Sequence, residues 1–209
     1  MLERLTVPQA LDRLKALVAT SGTHTEAECG NVLVEEFAAV LLPLEEAVVL
    51  VDKQYTTESG RVDVVLVADR TTLDGSVERV AYVWELKAPQ VTIFERDTAS
   101  RVRPSPELYS AENQLLHYHS SLAGSDEFRA RWRLGRREDV VIGGIVIGTQ
   151  ATFVASSDED RPRLSGLART ALGVRDRAFY RACGLRLLTW DQVIQRGPLL
   201  TESHMRISS

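Results

Sequence analysis

Residues 80–89, Val-Ala-Tyr-Val-Trp-Glu-Leu-Lys-Ala-Pro, constrain this chain most. Their β-branched and aromatic start favours a pleated strand. Pro89, which lacks a backbone donor, ends it. Alternation along a strand puts Glu85 and Lys87 on one face and turns Leu86 to the other. A carboxylate, a backbone carbonyl and an ammonium then converge on one patch, the set that a hard divalent cation and an activated water need. Residues 61–69 read as a partner strand with Asp63 near its start. A hairpin between the two strands brings Asp63 beside Glu85.

A chain of 209 residues fits one domain with a real core. Its 44% apolar and 26% charged content is that of a soluble globular protein. Cys29 and Cys183 show no ligand spacing, so reduced thiols in a cytoplasmic protein are expected. The four histidines show none either. Glu3 and Arg4 lead into a helical pattern, so no signal peptide is expected. The longest apolar run, residues 140–148, is too short for a bilayer, and no membrane partner is expected. The net charge of −4 is uneven: residues 1–99 sum to −8 and residues 100–209 to +4. A local basic surface is compatible with that split. Lys15, Lys53 and Lys87 are the only lysines, which makes a chance Glu-x-Lys scarcer here.

Thr6-Val7-Pro8 predicts a helix start, with Thr6 as N-cap, and Ser21-Gly22 ends that helix. Thr25 and Glu28 match a capping box, so a second helix is expected to about Leu41, ahead of Pro43. Its buried face holds Cys29, Val32, Leu33, Phe37, Val40 and Leu41. Glu36 falls within that arc, and Glu26 on the same side at the helix start. A carboxylate on a buried face costs free energy unless paired or metal-bound; a rim position reaching water is the plain alternative for Glu36. Residues 47–55, 61–69 and 77–88 read as three strands. A turn at 56–60 and Asp74-Gly75 link them into an antiparallel meander. Residues 90–104 show no period, carry Arg96, Arg101 and Arg103, and are expected as a loop, either phosphate-contacting or merely solvated.

Ser105-Pro106-Glu107 opens a helix to about Leu122, stopped by Gly124. Gln114 and Tyr118, four apart, share a face of it. Arg129, Arg131, Arg133, Arg136 and Arg137 gather round Trp132 as a nucleic-acid contact or a solvated face. Residues 140–148 read as a central strand, 164–182 as a helix ending near Gly184, and 185–188 as a short strand. Thr189-Trp190-Asp191 opens a last short helix through Ile194, and residues after about Pro198 read as a tail.

This order of elements, with Asp63 on one strand and Glu85-Leu86-Lys87 on the next, resembles the core of the PD-(D/E)xK nuclease superfamily. Val62 stands where that family often has proline. Gln114 and Tyr118 look like the Gln-x-x-x-Tyr motif of RecB-like nucleases. Together with residues 85–89, 105–108, 111–118, 143–148 and 187–193, the chain is similar to the nuclease domain of the Shedu anti-phage defence family. The similarity spans roughly residues 25–197, with Trp190 in place of a tyrosine.

The resemblance implies an α/β fold with a restriction-endonuclease-like core (helix, three-strand meander, helix, strand) and extra helices. Residues 1–24 would be a packing helix, 25–197 the nuclease domain and 198–209 a tail. It implies Mg²⁺, replaceable by Mn²⁺, held by Asp63, Glu85 and the Leu86 carbonyl, hard oxygens that suit the ion. Glu36 or Glu26 completes the shell through water. Lys87 orients or deprotonates the attacking water. Gln114 hydrogen-bonds Lys87 or that water, and Tyr118 contacts phosphate. The implied activity is metal-dependent cleavage or nicking of double-stranded DNA in prokaryotic anti-phage defence, by a homo-oligomer. The alternative is a catalytically inactive module of the same fold for nucleic-acid binding or oligomerisation, toward which the acidic net charge leans.

Overall fold

The computed structural model describes residues 6–19, 26–43, 46–57, 60–155 and 159–207. It is a mixed α/β structure built on one five-stranded sheet. β1 (Ala47–Thr57), β2 (Gly60–Thr71) and β3 (Val77–Leu86) form the expected antiparallel meander. β4 (Phe94–Thr98) and β5 (Arg101–Pro104) stand apart as a hairpin. β6 (Val140–Val146) joins β3 in parallel, and β7 (Arg186–Leu188) joins β6 in parallel. The sheet order is therefore β1-β2-β3-β6-β7.

Both faces of the sheet are covered. β2 sends Val65 and Val67 into one core and Val64, Leu66 and Ala68 into the other; β3 does the same with Ala81 and Val83 against Val80, Tyr82 and Trp84. Strands buried on both sides read as continuous apolar runs, which is why the alternation was faint in the sequence. α1 (Val7–Ala19), α2 (Glu26–Glu36) and α7 (Trp190–Ile207) share one core; α3 (Pro106–Gly124), α4 (Asp126–Trp132) and α5 (Arg161–Arg175) share the other. No described helix is long and apolar enough to cross a membrane.

Several boundaries differ from expectation. The Ser21-Gly22 stop and the Thr25 cap lie outside the described residues. α2 ends at Glu36 rather than Leu41, because Phe37 leaves the helix (φ −153°) and a tighter 3₁₀ turn over Ala38–Leu41 follows. Pro43 disfavours helical backbone at Leu42, which is extended. β3 ends at Leu86, although the Lys87 amide still donates to the Val146 carbonyl (2.8 Å). Residues 90–104 are not a structureless loop: Ile93 and Phe94 are fully buried and anchor the hairpin. Within the expected 164–182 helix, α5 passes into a wider π turn (Asp176–Tyr180) and then α6 (Arg181–Cys183). The Tyr180 hydroxyl donates to buried Glu112 (2.5 Å), which also takes Arg175. α7 does not stop at Ile194; it continues through Pro198 to Ile207. The Ser105 cap is as expected, its Oγ accepting the Leu108 amide at 3.1 Å.

Candidate active site

The ladder between β2 and β3 runs from Thr71 and Val77 to Val64 and Trp84, then stops. Past it, a side chain replaces the backbone: Asp63 Oδ2 accepts the Leu86 amide at 2.9 Å. One strand out, Gln54 of β1 lies between the pairs Lys53–Val64 and Tyr55–Val62, opposite Asp63, and adopts φ 58°. The sheet thus opens at the row that holds Asp63.

Glu85 and Lys87 project from the next strand on one face, while Leu86 packs into the core on the other. Glu85 is 2% exposed. Lys87 Nζ donates to Glu85 Oε1 (2.7 Å) and to Gln114 Oε1 of α3 (2.9 Å). Glu85 Oε2 is buried and has no hydrogen-bond partner among the described residues. Burial, then the Asp63 carboxylate, push Glu85 up to about 8, and Lys87 opposes both. Burial lowers the Lys87 ammonium, but Glu85, Glu26 and Asp63 outweigh it and raise it, so it stays charged.

Of the two helix glutamates, Glu26 lies within electrostatic reach of Asp63, Glu85 and Lys87. Burial and then Asp63 raise its carboxyl, with Lys87 and Arg61 opposing. Glu26 also acts on Glu85 and Lys87. Glu36 lies at the far end of α2, about 15 Å along the axis from Glu26. Tyr118 closes another side. Burial, Glu85 and Asp63 raise its hydroxyl, and Lys87 and then the Arg61 backbone oppose them. A Cβ on Gly60 would sit 3.1 Å from the Tyr118 ring and hydroxyl, and Gly60 has φ +141°, so the position requires glycine.

The turn after Lys87 is pinned. The Trp190 indole N–H donates to the Lys87 carbonyl at 2.8 Å, the Gly148 amide to the Ala88 carbonyl, and Thr152 Oγ1 to the Pro89 carbonyl. Trp190 is fully buried. The segment 187–193 therefore holds the exit of β3 from below.

The expected phosphate-contacting arginines do not gather on this site. Arg96 pairs with Asp160 (3.3 Å), Arg101 with Asp97 (3.2 Å) and Arg103 with Glu95 (2.6 Å). The hairpin sets Asp97 and Glu95 against Arg101 and Arg103, and Asp160, at the start of α5, reaches Arg96. Three of the five arginines around Trp132 are likewise engaged: Arg129 with Asp126, Arg131 over the Tyr55 and Trp132 rings, and Arg136 with Asp139 and Glu78. Sequence reasoning missed Arg61, exposed and within the electrostatic reach of Glu26. Its spacing, two before Asp63 on one strand, carried that signal.

The donor set suits a hard cation. A buried, partnerless carboxylate oxygen beside a second carboxylate is costly as it stands, and a divalent ion would satisfy both. Among the described residues no three His, Cys, Asp or Glu side chains gather to hold an ion alone. Mg²⁺ commonly uses one or two carboxylates and keeps its other positions for water and phosphate. Asp63, Glu85 and the Leu86 carbonyl are the residues that would hold it. No family model matches the chain, and no curated protein matches it.

Proposed function

We propose that this chain is a Mg²⁺-dependent endonuclease that nicks or cuts double-stranded DNA, with a restriction-endonuclease-like core like that of Shedu nuclease domains. One observation carries the reading: Asp63 from β2, Glu85 and Lys87 from β3 and Gln114 from α3 meet at the point where the sheet opens. A second lends support. A cavity of about 360 Å³ lies beside the C-terminal end of α3, lined by Glu127 and by the hydroxyl-bearing Tyr55, Thr56, Thr57, Ser121 and Ser125. Such hydroxyls donate to the sugar-phosphate backbone without reading sequence.

In the proposed reaction a water oxygen bonds to phosphorus and gives up a proton to solvent, the bond from phosphorus to the sugar oxygen breaks, and that oxygen takes up a proton. A cation held by Asp63, Glu85 and the Leu86 carbonyl would supply Lewis-acid relief of the phosphate charge. The Lys87 ammonium, aimed by Glu85 and Gln114, orients the water and offsets charge building on the phosphate oxygens. Arg61 faces the incoming phosphate. Tyr118, fixed against Gly60, bounds the site. Glu26 holds a further water. Homo-oligomeric assembly and a role in anti-phage defence rest on the resemblance alone.

The test is incubation of purified chain with supercoiled plasmid and Mg²⁺ or Mn²⁺. Nicking or linearisation that Lys87→Ala abolishes is the expected result. Folded, cation-loaded protein that cuts no form of DNA would sink the reading, and faster cutting of a matched RNA duplex would move the substrate to RNA. The ion-paired state of Arg96, Arg101 and Arg103 favours one rival, an inactive module with the same fold. Cation-independent DNA binding without cleavage would select it.

A further inference from the structure

We propose that the free edge of β7 docks an extended, acidic segment of another polypeptide. β7 is the last strand of the sheet. The Leu188 carbonyl accepts the Ile147 amide at 2.9 Å, and the Arg186 carbonyl lies against Gly144, so both residues turn their backbone groups toward β6. Successive strand residues direct N–H and C=O to opposite edges. Leu187 therefore presents both outward, away from β6, the one strand among the described residues that β7 pairs with. An unpaired edge of this kind is a template for one more strand.

The edge forms the floor of a groove of about 440 Å³, walled by α5 and the π turn on one side and by α7 on the other. Leu172 and Leu187 make part of it apolar. Arg169 on one wall and Arg196 on the other form no ion pair among the described residues. Arg186 directs its guanidinium to the carbonyls of Gly143 (3.2 Å) and Leu41 (2.7 Å) rather than to a carboxylate. Asp176, the one carboxylate in the described lining, is taken by Arg181 at 2.7 Å.

Charge selects the occupant. A second copy presenting the same edge would set Arg169 and Arg196 against their equivalents, and facing like charges are unfavourable. A nucleic-acid backbone would satisfy the arginines, but it offers no amide to the Leu187 carbonyl and no apolar side chain to Leu172. A peptide that carries acidic and apolar residues on both of its side-chain rows satisfies all three. Its backbone pairs with Leu187, one row reaches Arg169 and Leu172 on the α5 side, and the other reaches Arg196 on the α7 side.

The probe is a fluorescein-labelled, end-capped peptide repeating Val-Val-Glu-Glu, which sets both residue types on each row, titrated into the full chain by anisotropy. The Leu187 amide is followed in parallel by ¹⁵N–¹H correlation spectra. Saturable binding that shifts this amide is expected, with a loss of about tenfold or more when Arg169→Glu and Arg196→Glu are combined. Leu187→Pro should abolish binding, since proline is tolerated where a strand amide faces away from the sheet. If Leu187→Pro does not fold, the charge-reversal pair carries the test alone. The proposal is overturned by no binding, by equal binding of a valine–lysine peptide, or by binding that the variants leave unchanged. Tighter binding of single-stranded oligothymidylate would overturn it in favour of nucleic acid. A dimer in sedimentation that Leu187→Pro dissolves would overturn it in favour of a second copy. None of these outcomes depends on whether the chain cleaves DNA.

Discussion

Asp63 accepts the backbone amide of Leu86, one residue past Glu85, and so ties the mouth of the opened sheet together with the same side chain that crowds Glu85 with negative charge. Structure and chemistry can be separated at this position. Asp63→Asn keeps an acceptor for the Leu86 amide and removes the charge; Asp63→Ala removes both. The alanine variant should lose about 1–3 kcal/mol of stability through the stranded amide, whereas the asparagine variant should stay close to wild type. Both should lose cleavage by about 100-fold or more, as expected when a charge that acts on the transition state is removed. Denaturant melts paired with plasmid nicking rates check this. An active asparagine variant would show that the charge has no part in the reaction.

Lys87 stands between Glu85 and Gln114, at 18% side-chain exposure against 3% for Glu85. In chelator above about pH 8, where Glu85 ionises, Lys87→Met keeps most of the stem and strands the buried carboxylate, which should cost about 1–3 kcal/mol. Adding Glu85→Gln removes the stranded charge, so the double variant should regain stability but no activity. The single and double variants are compared by thermal melts. Equal destabilisation in both would mean that Glu85 is not what Lys87 neutralises.

The raised Glu85 carboxyl sets a pH dependence with a definite sign. Its proton is held up to about 8 in the folded chain against 4.5 ordinarily, with burial the main cause. Between those values the folded state binds more protons than the unfolded one, so this group's contribution to stability falls as pH rises through that window. A tenfold difference in proton affinity between the two states is worth about 1.4 kcal/mol, or roughly 3–6 °C in Tm for a chain of this size. In chelator, Tm should therefore decline across the window. Saturating Mg²⁺ favours the ionised carboxylate and should flatten the decline, and Glu85→Gln should abolish both effects. A Tm that rises with pH in chelator, with Glu85→Gln unchanged, would contradict the assignment.

The residues that were legible in the sequence are those whose partners are close in the chain or fixed by a strand or helix period. Glu85 and Lys87 are two apart on a strand, and Gln114 and Tyr118 four apart on a helix; periodicity alone set which side they face. The arginines of residues 94–104 were not legible, because their partners are set by folding. Arg103 meets Glu95 only once a hairpin forms, and Arg96 meets Asp160 from 64 positions away. The hairpin was itself hidden, since its strands bury little beyond Phe94 and Pro104 and show no alternation. The choice between Glu26 and Glu36 depends on which end of α2 lies near Asp63, and no local pattern encodes that.

Trp190 supports Lys87 from beneath through the bond from its indole N–H to the Lys87 carbonyl. Trp190→Phe keeps an aromatic ring in a fully buried place and leaves that carbonyl without its donor, at a cost of about 1–3 kcal/mol. A purely structural role predicts lower Tm with unchanged kinetics well below it. A positioning role predicts more. With the β3 exit released, Lys87 Nζ loses its alignment on Glu85 and Gln114, and a misplacement of about 1 Å can cost as much as 100-fold. The expected result is therefore a kcat lowered by about tenfold or more with KM for duplex DNA unchanged, because Trp190 is too deep to touch substrate. Steady-state cleavage of a labelled duplex, measured well below the variant's Tm, distinguishes the two. An unchanged kcat would leave Trp190 as a packing residue and nothing more.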